Sequence, residues 1–169
     1  LARAGGDTPI RTVTGDATET ARLRAGDGRG YLHIPEISEA PVPGYIWGEP
    51  VRRVFRLLAR GYALAAALHA SGVEDAFEIV CAGSGVPDED AGRIQLAVHI
   101  RSIGEWQDPS RRVVEAVHEI HGVTGGKPRT RALHRWDEAS DRFVTVNEPR
   151  IVLAERWAQL ARDLGRTAF

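Results

Sequence analysis

The chain has 169 residues, of which 43% are hydrophobic and 27% charged, the composition of an ordinary globular domain with its own core. Its net charge of −1 gives no general attraction to nucleic acid or to an anionic membrane, and no run of about 18 apolar residues that could span a bilayer is present. The single cysteine excludes an internal disulfide and favours a reducing compartment.

The first part of the sequence alternates strand and helix signals. Strands are predicted at 10–14, 31–37 and 62–69, because these segments are β-branched or apolar and are bounded by glycine or proline. A helix is predicted at 51–60, where apolar residues recur at helical spacing before Gly61. A strand, a crossover helix and a strand form a βαβ unit, which favours parallel pairing. The continuous apolar run 62–69 is expected to be a buried central strand.

A further helix is predicted at 73–80, with Ser71 as its N-cap and Glu74 at the capping-box position. One more helical turn is predicted at 88–93. We find no linker, and the sequence indicates one α/β domain over 1–169. Its parts are a parallel α/β part (1–95), a β-meander (96–146) and a C-terminal helix (147–169).

The later part reads as successive strands. Short turns separate them, which indicates an antiparallel meander. The strands are predicted at 96–103, 111–121, 129–136 and 142–146. The closing helix is predicted at 151–164, with apolar residues at 153, 157, 160, 161 and 164.

Three polar residues follow the predicted parallel strands. Asp16 comes after the first strand, Glu36 lies at the end of the second, and His69 ends the third. Ligands of open parallel sheets bind at the carboxyl ends of the strands, so the three side chains are expected to converge if the strands are neighbours. A carboxylate there can hold a Mg²⁺-bound water or orient an attacking water, and an imidazole can bind a phosphate oxygen. Alternatively, Asp16 caps a turn, Glu36 is solvated and His69 is a satisfied histidine at the edge of the core.

The motifs around these residues resemble the secretion ATPase superfamily, which drives type II and type IV secretion and type IV pilus assembly. Segment 11–16 (RTVTGD) is similar to its acidic box, with Glu19 as a second acid. Segment 31–38 (YLHIPEIS) is similar to its Walker B region, and 61–70 (GYALAAALHA) to its histidine box. Two later segments, HIR at 99–101 and RRVVE at 111–115, resemble its late strands.

The resemblance implies a RecA-like P-loop NTPase half-domain with ATP and Mg²⁺ as cofactors. Glu36 would act catalytically through a Mg²⁺-bound water, Asp16 would polarise the attacking water with Glu19 as a second catalytic acid, and His69 would report on the γ-phosphate. It also implies a homo-oligomeric ring, a hexamer, that works in the cytoplasm at the periphery of the inner membrane. Its expected partner is a secretion or pilus platform protein, with no direct nucleic-acid binding and no transmembrane segment.

No G-x-x-x-x-G-K-[ST] motif is present. The near miss at 125–128 (GGKP) lies between two predicted strands and indicates a hairpin turn. In the family the phosphate-binding loop precedes the acidic box, so the sequence is expected to be a fragment that binds ATP weakly or not at all. Four residues depart from the family pattern: Gly15, Pro35, Ser38 and Tyr62. The last three favour an alternative, a non-catalytic regulatory or interaction domain derived from such an ATPase.

Other chemistry has weaker support in the sequence. His118 and His121 share a predicted strand at a spacing that directs them to opposite faces, which argues against a structural zinc site. Cys81 lies on a predicted helix and is expected to be an inert thiol. Three arginines on the second predicted helix form a solvated face or, alternatively, reach a neighbour's nucleotide in a ring. They are Arg52, Arg53 and Arg56.

Overall fold

The computed structural model describes residues 8–105 and 107–151, which group into two compact units. The first unit runs to Ile94 and includes Gly122–Pro128, and the second consists of Gln95–His121 and the residues from Arg129 onward. The fold is mixed α/β, with a small parallel sheet and a separate antiparallel sheet. Within the described residues, no helix has the length and apolar character needed to cross a membrane.

The elements up to Ile94 alternate between short strands and helices. In chain order they are β1 (Ile10–Thr12), α1 (Ala17–Ala25), β2 (Tyr31–Ile34), β3 (Glu36–Ile37), β4 (Tyr45–Ile46), α2 (Glu49–Leu57), β5 (Ala63–Ala66), α3 (Val73–Glu78) and α4 (Asp88–Ala91). A 3₁₀ turn, Leu58–Arg60, follows α2, and a π-helical turn, Ile79–Gly83, follows α3.

The predicted parallel pairing is confirmed. The three strands β1, β2 and β5 lie side by side in that order, and both pairs are parallel. The prediction of a buried central strand at 62–69 is wrong, because β2 is central and β5 lies at an edge of the described sheet. Leu32 and Ile34 of β2 are buried, whereas Ala65 and Ala66 of β5 are exposed. Small alanine side chains bury little area, so β5 does not form the middle of a two-sided core.

The helix α2 packs one apolar side into this unit, as its spacing predicts. Its buried residues recur at helical intervals. They are Val51, Val54, Phe55 and Leu57. Gly61 ends the following 3₁₀ turn with φ of 104°, a left-handed conformation that glycine adopts without strain.

The start of α3 differs in detail from the predicted capping box. The Asp75 carboxylate, not that of Glu74, accepts hydrogen bonds from the backbone N–H and the hydroxyl of Ser71, at 2.7 and 2.9 Å. These two hydrogen bonds lower the pKa of Asp75. Helical geometry continues to Gly83, three residues beyond the predicted end at Val80, through the π-helical turn.

The predicted meander is confirmed as a four-stranded sheet in the order β6, β7, β8, β9. These are β6 (Leu96–Gly104), β7 (Pro109–Thr124), β8 (Lys127–Asp137) and β9 (Arg142–Thr145). The β6–β7 and β8–β9 pairs are antiparallel, with a bulge in the first between His99 and Ile100. The predicted helix at 151–164 lies, beyond Ile151, outside the described residues.

Candidate functional site

The carboxyl ends of β2 and β5 carry a carboxylate and an imidazole at the same edge of the parallel sheet. Backbone pairing continues just past both strands, because Ala67 N–H donates to the Ile34 carbonyl at 3.2 Å and Ile37 N–H donates to Ala67 at 2.8 Å. Glu36 stands between these two hydrogen bonds, and His69 follows two residues after Ala67. The local pairing therefore brings the side chains of Glu36 and His69 close together.

The side chains of Glu36 and His69 are in direct contact. Nδ1 of His69 lies 2.9 Å from Oε1 of Glu36. The Glu36 side chain is only 9% exposed, whereas that of His69 is 91% exposed. A carboxylate that accepts the Nδ1–H fixes the imidazole ring and leaves Nε2 free to meet a ligand. The arrangement can present a positioned ring nitrogen to a ligand at the sheet edge.

Asp16 follows β1 and caps the helix α1. Its Oδ1 accepts hydrogen bonds from the backbone N–H groups of Thr18 at 2.8 Å and Glu19 at 3.1 Å. The hydrogen bonds from Glu19 and Thr18, with a smaller contribution from the charge of Arg53, lower the pKa of Asp16. The side chain thus performs the capping role that was the alternative to a catalytic one. Its polarisation of a water stays a prediction.

The carboxylate of Glu19 binds the residues that precede the same helix. Its Oε2 accepts hydrogen bonds from the backbone N–H of Thr14 at 2.9 Å, the Thr14 hydroxyl at 3.0 Å and the Gly15 N–H at 3.0 Å. Asp16 and Glu19 stand at the N-cap and N3 positions, the spacing of a capping box. This D-x-x-E signal is readable in the sequence, where the same two acids also resemble an acidic box.

The backbone conformation and the close packing at position 15 explain why a glycine stands there. Its φ is +70°, and a Cβ at this position would lie 2.4 Å from the carbonyl oxygen of Pro50. Arg53 Nη1 also donates to the Gly15 carbonyl at 3.3 Å. The turn between β1 and α1 therefore packs directly against the first turn of α2, where no larger residue fits without displacement.

The three arginines of α2 all contact Glu49. Nε of Arg52 lies 2.7 Å, Nε of Arg53 3.4 Å and Nη1 of Arg56 3.3 Å from the Glu49 carboxylate. The hydrogen bond from Arg52, followed by the nearby arginine charges, lowers the pKa of Glu49. Arg52 also donates to the Ser84 carbonyl at 2.7 Å. These guanidinium groups therefore have partners within the chain, and they are more than a solvated face.

The GGKP near miss is a hairpin turn, as predicted. Gly125 and Gly126 join β7 to β8 with φ of 60° and 73°, the left-handed pair that a two-residue hairpin turn favours. Their N–H groups donate to the two oxygens of Asp88, at 2.6 and 2.8 Å. A carboxylate thus already occupies the backbone donors that a phosphate would need.

The remaining candidates for chemistry do not form a metal site. Among residues 8–105 and 107–151, no group of three or more histidine, cysteine and acidic side chains could hold a metal ion. His121 instead lies 3.1 Å from the Glu119 carboxylate. Burial, and next the charge of Asp88, raise the pKa of the Cys81 thiol, which disfavours the reactive thiolate.

The sequence matches no protein-family model, and a search of curated proteins finds no match either.

Proposed function

We propose that this chain is part of a RecA-like motor ATPase of the secretion and pilus-assembly kind, with Glu36 and His69 in its reaction crevice. The observation that carries the proposal is the 2.9 Å contact between these two side chains at the carboxyl edge of a parallel sheet. Open parallel sheets bind their ligands at that edge. The order β1, β2, β5, in which the strand before Glu36 lies between the strand before Asp16 and the strand before His69, supports the same interpretation.

In the proposed reaction, Glu36 would orient a water bound to Mg²⁺, and His69 would direct its outer ring nitrogen toward the γ-phosphate. Asp16, with Glu19 as a second acid, would polarise the attacking water. Bound Mg²⁺ would supply charge neutralisation at the phosphates, and catalysis would consist mainly of positioning. The protein would work as a homo-oligomeric ring, a hexamer, in the cytoplasm against an inner-membrane platform protein. Its work would be secretion, pilus assembly or conjugation.

The described residues fit ATP and Mg²⁺ only in part. Glu36 and His69 offer the carboxylate and the imidazole, but the turn N–H groups of Gly125 and Gly126 already bind Asp88. A P-loop holds the β- and γ-phosphates with backbone N–H groups and a lysine. The sequence contains no such motif, so we expect the 169-residue chain to bind ATP weakly or not at all.

Calorimetric titration of this chain with ATP and Mg²⁺ tests the expectation, and micromolar binding would refute it.

A Walker A motif encoded within about 20 residues before Leu1 would support the enzyme. In that longer protein, Glu36→Gln should lower ATP turnover by about 100-fold. The exposed neighbour Glu39 supplies the control, since Glu39→Gln should leave turnover unchanged. Normal turnover of Glu36→Gln would remove Glu36 from the mechanism.

A specific observation favours a second candidate, a non-catalytic regulatory or interaction domain derived from such an ATPase. The carboxylates of Asp16 and Glu19 are occupied by backbone N–H groups that hold a helix start. Carboxylates held in this way stabilise the fold whether or not the protein catalyses a reaction. An unrelated coding sequence before Leu1, together with full stability of the chain without nucleotide, would support this candidate over the enzyme.

A further inference from the structure

The buried carboxylate of Glu119 holds the chain where the described residues end. Glu119 lies on β7 and is 0% exposed. Its two oxygens accept hydrogen bonds from the backbone N–H groups of Arg150 and Ile151 at distances between 2.8 and 3.2 Å. A carboxylate buried this deeply needs such partners. Arg150 and Ile151 are therefore fixed over the face of the sheet to which Glu119 points.

The path of the chain to this anchor crosses the sheet from β9 toward β6. Val146 still continues β9, because its N–H donates to the Leu133 carbonyl of β8 at 2.8 Å. By Ile151 the chain has passed β8 and lies over Glu119 of β7. The next strand in the order is β6. A chain that continues in the same direction reaches β6 on this face.

The face of β6 that lies ahead is apolar and exposed. Leu96 pairs with Glu119, and Val98 and Ile100 follow on the same face because side chains alternate along a strand. Val98 is 54% and Ile100 56% exposed. Two β-branched apolar side chains in line on an edge of the described sheet form a surface that proteins usually cover. Val98 and Ile100 are called the β6 face below.

We propose that the segment directly after Ile151 binds the β6 face and so completes this unit. Val98 lies about 7 Å along the strand from the pair that anchors Ile151, a distance that a few residues span. The segment carries apolar residues at intervals of three and four, the spacing that gathers side chains on one side of a helix. These residues, called the C-terminal stripe, lie outside the described part of the chain. They are Leu153, Trp157, Leu160, Ala161 and Leu164.

Thiol reactivity tests the proposal on the full chain in a Cys81→Ala background. Val98→Cys should react with a soluble disulfide reagent at least about tenfold more slowly than Ile10→Cys, because a bound segment must open before the thiol is reached. Ile10 is an exposed strand residue of the other unit, so it supplies the unprotected reference. Equal reaction rates for Val98→Cys and Ile10→Cys would overturn the proposal.

Two added substitutions identify the occupant. Leu160→Asp, within the C-terminal stripe, should restore the reactivity of Val98→Cys, whereas Gln159→Asp, its neighbour outside the stripe, should leave the protection intact. Protection that grows with protein concentration would mean that a second copy covers the face, and that result contradicts the proposal. Equal relief by both substitutions also contradicts it. The comparison of Val98→Cys with Ile10→Cys remains decisive if Leu160→Asp fails to fold.

Discussion

Oε1 of Glu36 lies 2.9 Å from Nδ1 of His69, although the two residues are 33 positions apart in the sequence. The contact forms because β2 and β5 are adjacent and parallel, so residues that follow both strands emerge at one edge. The buried carboxylate is fixed and the imidazole is exposed. Nδ1 of His69 therefore faces the Glu36 carboxylate, and Nε2 is the ring nitrogen that remains for a ligand.

This geometry predicts the tautomer of His69. We expect the neutral ring to carry its proton on Nδ1, because the carboxylate of Glu36 accepts that proton. Glu36→Ala should shift the ring toward the Nε2–H form, which is commoner in free histidine. Long-range ¹H–¹⁵N NMR spectra report the tautomer directly. His99, whose Nδ1 lies 3.0 Å from Glu115, is an internal control that Glu36→Ala should not affect. An unchanged His69 spectrum in that variant would show that Glu36 does not orient the ring.

Substitution of Asp16 separates its capping role from a catalytic one. Asp16→Ala should lower the melting temperature, since the N–H groups of Thr18 and Glu19 lose their acceptor. Asp16→Asn should retain most of the stability, because asparagine is an equally good N-cap. If the protein hydrolyses ATP, a loss of turnover in Asp16→Asn without a loss of stability would assign Asp16 to the reaction as well.

The pH dependence of the Asp16 contribution follows from the direction of its shift. Its pKa is lowered in the folded chain, so folding favours the ionised form. The resulting stability is fully present above the unfolded pKa of about 3.9 and is lost as pH falls through the lower folded value. The difference in melting temperature between the native chain and Asp16→Ala should therefore shrink as pH falls below about 4, by the part of the capping stability that depends on ionisation. A difference that persists unchanged to lower pH would exclude ionised Asp16 as its source.

Gly15→Ala should destabilise the chain more than a glycine substitution with similar φ elsewhere. At Gly15 the new Cβ meets the Pro50 carbonyl oxygen at 2.4 Å, whereas at Gly44, with φ of +89°, nothing lies within 4 Å. Positive φ alone costs about 1 kcal/mol, and the overlap should add about 1–3 kcal/mol. Urea unfolding of both variants measures the difference in free energy. Equal losses would mean that the turn shifts away from α2 without cost.

The sequence predicted the elements whose signals are local. Period-two patterns and glycine pairs indicated the antiparallel strands and the 125–126 turn, and the βαβ spacing indicated the parallel pairing. Adjacent strands then brought Glu36 and His69 together as expected. The edge position of β5 was not predictable, because a run of alanines does not reveal whether a second layer covers it.

The tasks of individual acids were harder to predict than the elements. Asp16 and Glu19 fit both an acidic box and a capping box, and only the observed hydrogen bonds identify the capping partners. At the start of α3, the sequence allows either Glu74 or Asp75 to accept a hydrogen bond from Ser71. In the structure the acceptor is Asp75. No local pattern indicates that Glu119 is buried, because its partners are backbone N–H groups about thirty residues further along the chain.

The Asp88 carboxylate should govern the order of the Gly125–Gly126 turn. Asp88→Ala removes the acceptor of two backbone N–H groups, so it should lower stability by about 2 kcal/mol and speed amide exchange at both glycines. Glu89→Ala, next along the same helical turn and largely exposed, should change neither quantity. Hydrogen exchange followed by NMR resolves the two amides. If their exchange in Asp88→Ala matches that in the native chain, the turn is held by its left-handed backbone alone, and the Asp88 contacts add nothing to it.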